Sequence, residues 1–188
     1  MTEINKKYKL IKESQLTITE LMLPSHSNFS GKIHGGHILN LMDQIAFACA
    51  SKHSEYYCVT ASVNKVNFLN PIEVGELVTL KASINYTGNS SMVVGVRVES
   101  ENIQTKTVKH SNSSYFTMVA KDKDGNKAVV PGIILESEND VRLFARSVRR
   151  KEQAKTRDKN FHSKHFVIEE HLEVLQTQNT KIDFLDNE

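Results

Sequence analysis

The strongest constraint on the fold is a segment in which apolar residues cover nearly every face of a single helix. Between Ile38 and Ala50, apolar residues recur at helical spacing, and Leu39 and Phe47 extend the apolar surface to the remaining faces. A helix that is apolar on all sides is buried inside a protein rather than lying on its surface. Polar residues interrupt the segment, which is also much shorter than the roughly 20 residues that cross a bilayer. The sequence therefore predicts a central buried helix and no membrane span.

The hydrophobic period changes after this helix from about 3.6 residues to about 2, which is typical of strands with one buried face. Alternation is clearest in residues 78–86 and 92–98, which are separated by a turn at residues 88–90. The same pattern marks residues 16–22, 59–68 and 115–120. One strand, a buried helix and then four strands predict an α+β protein, in which an antiparallel sheet packs against one long helix.

Composition limits the kind of protein and the partners it can take. The 188 residues include 24 Lys and Arg against 22 Asp and Glu, a net charge of +2, so there is no reason to expect nucleic acid or a membrane surface as partner. Residues 1–12 are polar and rich in lysine, no apolar signal segment follows them, and the chain has two cysteines. These features predict a cytoplasmic protein.

The composition becomes basic from about residue 136, where arginines and lysines crowd a segment of helix-forming residues. This pattern predicts a charged C-terminal helix followed by a polar tail. We therefore divide the chain into a globular domain at residues 14–130 and a basic helical extension at residues 131–188. Arginines of the extension are either a solvated helix face or contacts for the phosphates of a nucleotide.

Asp43 is the most informative polar residue of the predicted helix. At about 100° per residue, it lies between Leu39, Phe47 and Ala50, on a helix with little polar surface. A carboxylate in such a place is costly unless it is paired or lies at a cavity. It is either a general base or nucleophile in a narrow cleft, or a helix-flank residue that bonds a loop.

Two further features precede the helix. Gly35 and Gly36 leave backbone N–H groups open at the positive end of the helix dipole, which suits a developing oxyanion or a phosphate. Asn28, in the preceding loop, is either an ordinary turn residue or a donor that polarises a carbonyl or orients a water.

The spacing of these residues predicts an assembly. Gly36 and Asp43 are seven residues apart, or roughly 10 Å along a helix axis, so one small carbonyl group cannot easily touch both. A two-fold partner running antiparallel can place its own Asp43 beside this subunit's Gly36. We therefore expect a site shared at a dimer interface.

Other chemistries find little support. His26, His34 and His37 are close in sequence, but no acidic or cysteine ligand completes a metal set with them, so we expect no metal site. Cys49 falls on the apolar stripe of the helix and is expected to be core. The sequence has neither the nucleophile elbow of serine hydrolases nor a phosphate-binding P-loop.

Several stretches of residues 14–130 match one enzyme family in order. They are Leu23-Pro-Ser-His-Ser-Asn28, Gly35-Gly36-His37-Ile38-Leu39, Met42-Asp43, Val59-Thr-Ala-Ser-Val63, Phe68-Leu-Asn-Pro-Ile72, Val74-Gly75, Ser91-Met92, Val94-Gly-Val-Arg-Val-Glu99 and Ser114-Tyr-Phe-Thr-Met-Val119. On these residues the chain resembles the bacterial acyl-CoA thioesterases of hot-dog fold, relatives of the vertebrate brain cytosolic acyl-CoA hydrolase. The basic segment that follows resembles the C-terminal helix of the same family.

The resemblance implies a fold, an assembly and a set of site residues. A hot-dog domain wraps its sheet around the central helix and assembles as dimers, commonly as a trimer of dimers, which is a homohexamer. Asn28 and Asp43 match the family's catalytic pair, one from each of two subunits, with Asp43 as general base or nucleophile and Asn28 polarising the thioester. The other expected substrate contacts are Gly35, Gly36 and Ser62 near the thioester, and Asn89, Ser90, Ser91, Arg146 and Arg149 near the CoA moiety. At Asn89, many relatives carry Arg instead.

We expect an enzyme of fatty acid metabolism that hydrolyses acyl-CoA to a free carboxylic acid and CoA, without a metal ion or covalent cofactor. A thioester needs little help to lose its thiol, so one base and an oxyanion site are adequate. Two alternatives remain open. A hot-dog dehydratase acting on enoyl thioesters would use His34 or His37 as its base, and a non-catalytic sensor would bind acyl-CoA without releasing thiol.

Overall fold

The computed structural model describes residues 7–160 and 178–180, so most of the predicted polar tail lies outside the described residues. A compact unit runs to Val148, and a second unit begins at Arg149. The first unit therefore continues past residue 131, where we placed the start of the extension, because a short strand and the first turns of the basic helix belong to it.

The helices and strands alternate much as the hydrophobic periods indicate. In chain order they are β1 (Tyr8–Leu10), α1 (Ile11–Ser14), β2 (Leu16–Leu21), a 3₁₀ turn (Pro24–His26), α2 (Gly35–Ser54), β3 (Tyr57–Val63), β4 (Asn67–Phe68), β5 (Leu77–Thr87), β6 (Ser91–Asn102), β7 (Thr107–Lys121), β8 (Gly132–Ile134) and α3 (Glu138–Asn160). The predicted central helix and the predicted basic helix are both present. Among the helices described, none has the length and apolar character needed to cross a membrane.

Six strands form one antiparallel sheet, which packs against α2. The main strand order is β2-β5-β6-β7-β3, and β4 pairs with β7 beyond the end of β3. Strands β1 and β8 form a separate parallel pair. Alternate residues of the central strands point toward α2 and are buried: Val78, Leu80, Ala82, Ile84, Met92, Val94, Val96, Val98, Phe116, Met118 and Ala120. The predicted α+β architecture is therefore confirmed.

Helix α2 forms the centre of the core. Its buried apolar residues are Ile38, Leu41, Met42, Ile45, Ala46, Cys49 and Ala50. Full burial of one large aliphatic side chain stabilises a fold by about 1.5–3 kcal/mol. Because α2 buries several such side chains, tertiary packing holds it in place. Burial also raises the pKa of the Cys49 thiol to about 12, which keeps it protonated and unreactive. The prediction that Cys49 is a core residue is confirmed.

Strand β7 is longer than the alternation indicates, since it begins at Thr107 and not near residue 115. Its first half buries polar side chains, which find partners inside the protein. Ser111 lies 3.0 Å from Ser100, hydroxyl to hydroxyl, and the Ser114 hydroxyl donates to the Asn64 carbonyl oxygen at 3.1 Å. Because these inward residues are polar, the hydrophobic period does not reveal this part of the strand.

The buried His53, in the last turn of α2, is tied to segments from both ends of the domain. Its Nε2 lies 3.2 Å from the Pro131 carbonyl oxygen, which can only accept, so Nε2 carries the proton. Nδ1 lies 3.2 Å from the Ser14 hydroxyl and is left as an acceptor, while Lys9 Nζ donates to the His53 carbonyl oxygen at 2.9 Å. Burial lowers the pKa of His53 below its ordinary 6.5, so the neutral ring holds these segments together.

We expect His53 to make the fold sensitive to mild acid. The unfolded chain binds a proton at this ring near pH 6.5, whereas the folded protein binds it only at lower pH, so protonation favours unfolding. The stabilisation is complete above this pH and is lost as the pH falls below it. Thermal melts between about pH 8 and about pH 5 should show a smaller loss of Tm for His53→Gln than for the wild type. Equal losses in both proteins would show that another group controls the acid response.

Candidate active site

Asp43 lies on α2, half-buried, at the border between the core and solvent. The hydroxyl of Thr60, on β3, donates a hydrogen bond to Asp43 Oδ1 at 2.7 Å. Within the part of the chain that the structure describes, Asp43 Oδ2 has no hydrogen-bond partner. The carboxylate is thus held through one oxygen and keeps the other available, as a proton acceptor must.

This pair lies at the free edge of the sheet, since β3 is its last strand. Several large apolar side chains near that edge are exposed: Tyr57 65%, Val63 46%, Phe68 53%, Leu69 57% and, in the Asn28 loop, Phe29 114%. An edge strand with unpaired backbone groups and an apolar surface is a place where a second chain can add.

Thr60, which holds the Asp43 carboxylate, was not predicted as a site residue, and a β-bulge beside it changes the direction of Ser62. Thr60 pairs with Met118, whose side chain points toward α2, whereas Ser62 pairs with Thr117 after a shift of register between Thr60 and Ser62. Cross-strand partners share a face of the sheet. Ser62, the residue expected near the thioester, therefore faces away from Asp43 within one protomer, and simple alternation gives no sign of this.

The Asn28 loop fixes the orientation of its side-chain amide. Asn28 Oδ1 accepts hydrogen bonds from the Ser30 backbone N–H at 3.0 Å, the Ser30 hydroxyl at 2.7 Å and the Lys32 N–H at 3.2 Å. Its Nδ2 has no acceptor among the residues described, and the residue is exposed. The amide nitrogen is therefore a fixed donor that is free to bond a ligand. Asn28 and Asp43 make no direct hydrogen bond within one protomer.

The two glycines at the start of α2 differ in what their N–H groups do. The N–H of Gly36 donates to Nδ1 of His34, the residue that caps the helix, at 3.1 Å. The N–H of Gly35 has no partner among the described residues. A Cβ at Gly35 would lie 3.0 Å from the Phe68 ring, so a glycine allows that ring to pack here. Of the two predicted oxyanion donors, only Gly35 is unoccupied in the protomer.

A cluster of Glu20, His26 and His37 lies beside this loop. Our expectation that no acidic residue joins the histidines is wrong, because Glu20 reaches them from β2: its Oε1 lies 3.1 Å from His37 Nε2 and 3.9 Å from His26 Nδ1. The two rings stack with centroids 3.9 Å apart and planes at 21°, and the three ligand atoms lie within 4.8 Å of one another, close enough to hold a metal ion. The Leu23 N–H also donates to His26 Nδ1 at 3.3 Å. The cluster fastens the 3₁₀ turn onto α2.

The residues expected to contact CoA lie on other elements than Asp43, at the β5–β6 turn and on α3. Asn89, Ser90 and Ser91 lie at the turn between β5 and β6, where the carbonyl oxygens of the first two accept from the N–H groups of Val130 and Ala120 at 2.9 Å each. Arg146 lines a cleft on the sheet face opposite α2. Arg149, on the same helix, begins the second unit and is exposed.

Comparison with known proteins places the chain in a family. A model of the thioesterase superfamily matches residues 30–107. Protein VdlD of Helicobacter pylori is 41% identical over 139 residues, which are 74% of this chain and 79% of that protein. The uncharacterized acyl-CoA thioester hydrolase YkhA of Bacillus subtilis is 32% identical over 152 residues, 81% of this chain and 88% of that protein.

Solved structures agree with this. A hexameric acyl-CoA thioesterase superposes with a TM-score of 0.79 at 36% identity, covering 81% of this chain and 97% of that one. The acyl-CoA hydrolase of Staphylococcus aureus, solved with butyryl-CoA, CoA and CoA disulfide, has a TM-score of 0.76 at 30% identity and covers 81% of this chain and 93% of its own. The expected hot-dog fold is confirmed, and the chain belongs to the hot-dog-fold acyl-CoA thioesterase family.

Proposed function

We propose that this acyl-CoA thioester hydrolase uses Asp43 as the base that activates water, and that two copies of the chain share each site. The observation that carries the proposal is the Asp43 carboxylate, bonded to Thr60 through Oδ1 at 2.7 Å and unpartnered at Oδ2 among the described residues. The products are a free carboxylic acid and CoA.

The chemistry needs one proton acceptor and one carbonyl donor. Asp43 Oδ2 takes a proton from water as the water oxygen bonds to the thioester carbon. The carbonyl oxygen becomes an oxyanion, which the Asn28 amide and the Gly35 N–H stabilise. As the carbonyl re-forms, the carbon–sulfur bond breaks, and the thiolate of CoA takes the proton from Asp43. The base is then ready for a second turnover.

We propose a shared site because Asn28 and Asp43 make no direct hydrogen bond within one protomer. Asp43 and Thr60 lie at the free edge of β3, while Asn28 lies in a separate exposed loop with the exposed Phe29 beside it. A second copy that adds along β3 covers the exposed apolar edge and brings its Asn28 loop to this Asp43. We propose a dimer as the minimal active unit and a trimer of dimers as the complete assembly.

Further substrate contacts complete the proposal. Gly36 and Ser62 line the approach to the thioester from the partner side, and Asn89, Ser90 and Ser91 lie near the pantetheine. Arg146 and Arg149 are the cations we assign to the phosphates of CoA. The reaction as proposed uses no metal ion and no covalent cofactor. Cys49 and Cys58 are both free thiols, which supports a reducing, cytoplasmic location.

A dehydratase is less well supported by the positions of the histidines. In a neutral His34 ring, Nδ1 accepts from the Gly36 N–H and Nε2 carries the proton, so neither nitrogen is a free base. The His37 ring is stacked on His26 and its Nε2 lies 3.1 Å from Glu20, so it is part of a structural cluster. Binding of acyl-CoA without hydrolysis does not require a carboxylate that is fixed through one oxygen and open at the other, as Asp43 is. Both observations favour hydrolysis.

Replacing Asp43 by Asn should remove the base without changing the shape of the side chain. We expect kcat for acyl-CoA hydrolysis to fall by at least about a hundredfold, the usual effect of losing a general base. Release of thiol, followed with a disulfide-exchange dye, measures the rate, and Lys52→Gln on the last turn of the same helix is the control. Near-normal turnover by Asp43→Asn would rule out this mechanism.

The hydrogen bond from Thr60 should orient the base. Thr60→Val keeps the volume of the side chain but removes the donor, and loss of a bond to a charged group should lower kcat by about tenfold with little effect on KM. Thr19→Val is a matched control, because Thr19 lies on the opposite edge strand and its hydroxyl bonds that of Thr79 at 3.0 Å. If both variants lose the same activity, the effect belongs to strand packing and not to Asp43.

Two inactive variants should restore each other if the site is shared. A dimer of one Asn28→Ala chain and one Asp43→Asn chain has one doubly altered site and one intact site. Random assembly after coexpression makes about half of the dimers hybrid, so about a quarter of the wild-type activity should return. Activity no greater than that of the two parents would place Asn28 and Asp43 of one copy in the same site.

A further inference from the structure

The cluster of two histidines and one glutamate beside the Asn28 loop is not used by the proposed hydrolysis. Glu20 is on β2, His26 ends the 3₁₀ turn, and His37 is in the first turn of α2. Two imidazoles and one carboxylate are a ligand set that zinc sites use. Among the described residues, no other group of three histidine, cysteine, aspartate or glutamate side chains is close enough to hold a metal ion.

The distances between the ligand atoms are close to those that a metal ion requires. With bonds of about 2.1 Å and tetrahedral angles, two ligand atoms on zinc are roughly 3.4 Å apart. Glu20 Oε1 lies 3.1 Å from His37 Nε2 and 3.9 Å from His26 Nδ1. All three ligand atoms lie within 4.8 Å of one another. Side-chain shifts on the order of 1 Å therefore bring them onto one ion.

The hydrogen bonds of the cluster leave two acceptor atoms near each other. The Leu23 N–H donates to His26 Nδ1 at 3.3 Å, so this nitrogen has a lone pair and no proton. The Glu20 carboxylate oxygen, 3.9 Å away, is also an acceptor. Two acceptors at this distance repel each other, and a cation bound to both removes the repulsion.

Binding of an ion changes the two rings. Their planes are only 21° apart, so one ring has to tilt before both nitrogens point at the same ion. When His26 tilts, it loses the hydrogen bond from Leu23, which is long at 3.3 Å. His37 Nε2, which lies 3.1 Å from the carboxylate, gives up its proton and binds as the nitrogen of a neutral imidazole. Each histidine side chain is 21% exposed, which leaves room for the tilt.

We propose that Glu20, His26 and His37 bind one divalent transition-metal ion, for which zinc is the best match. Imidazole ligands favour zinc over magnesium or calcium, and water completes a four-coordinate site. The ion joins β2, the 3₁₀ turn and α2, and takes no part in the hydrolysis as proposed. Our expectation of no metal site considered the histidines alone, because nothing in the sequence brings Glu20 to them.

The position of the cluster gives the ion a structural role. His26 is two residues before Asn28, and its carbonyl oxygen accepts from the His34 N–H at 2.8 Å. An ion bound to His26 and His37 therefore fixes the turn from which the Asn28 loop starts to the first turn of α2. A ligand that binds only the folded chain also stabilises it by mass action.

Zinc binding to the intact oligomer tests the site without any hydrolysis. Protein freed of metal with a chelator is titrated with zinc in a calorimeter, and we expect one ion per chain. His26→Gln, His37→Gln and Glu20→Gln should each bind at least about tenfold more weakly, because each loses a ligand or its charge. His110→Gln is the matched control, since His110 is a half-buried histidine on β7. It should bind zinc as the wild type does.

The last part of the chain needs a control of its own. His162, His165 and His171 lie outside the described residues and are zinc ligands by type. A variant with all three replaced by Gln should keep the affinity of the wild type for zinc. In thermal melts, zinc should raise Tm of the wild type and of this variant, and leave Tm of His37→Gln unchanged.

Cobalt(II) in the place of zinc reports on the ligands themselves. Its visible absorption depends on the number and geometry of its ligands. The wild type should give the intense bands of four-coordinate cobalt, and zinc should displace them. Glu20→Gln should give only the weak bands of cobalt in water.

Two results would overturn the proposal: no binding of zinc to the wild type, or equal binding by His37→Gln and His110→Gln. Circular dichroism and the size of each variant show whether its fold and assembly are intact. Hydrolysis of acyl-CoA by the metal-free wild type is measured separately. A protein that hydrolyses acyl-CoA but binds no zinc would lack the metal site and keep the proposed function.

Discussion

The burial of α2 is the constraint on which the rest of the structure depends. Its apolar residues from Ile38 to Ala50 lie on nearly every side of the helix and have to be buried from water. One antiparallel sheet packs against the helix and buries many of them. The carboxylate of Asp43 is half-buried at the border of this packing, next to the last strand of the sheet. There it is close enough to the core to be held by Thr60 and open enough to meet a substrate.

The same constraint leaves an exposed sheet edge beside Asp43 in one copy of the chain. The last strand of the sheet that packs on α2 is β3, which carries Thr60 and lies beside Asp43. The exposed apolar side chains at that edge are a surface that a monomer in water would not keep. In the proposed dimer, the contact that covers the edge also brings a second Asn28 loop to Asp43, so assembly and catalysis would depend on the same surface.

The sequence predicted the elements whose side chains follow a simple period. A continuous apolar stripe runs along the central helix, where it includes the buried Cys49, and along the strands β5 and β6. Features that depend on a local irregularity or on distant residues were missed. The bulge in β3 separates Thr60 from Ser62, Glu20 reaches His37 from another element, and the first half of β7 buries serines instead of apolar residues. No hydrophobic period marks any of these.

Strands β5 and β6 give the sheet two faces with different chemistry. Inward residues such as Leu80 and Val98 pack on α2, while Lys81 and Arg97, one residue along, point outward with Glu99 between them. A change on the outer face alters the charge of the cleft without removing any contact from the core. The charge of that face can therefore vary while α2, Asp43 and the β3 edge stay as they are, because strand geometry keeps the two sets of side chains apart.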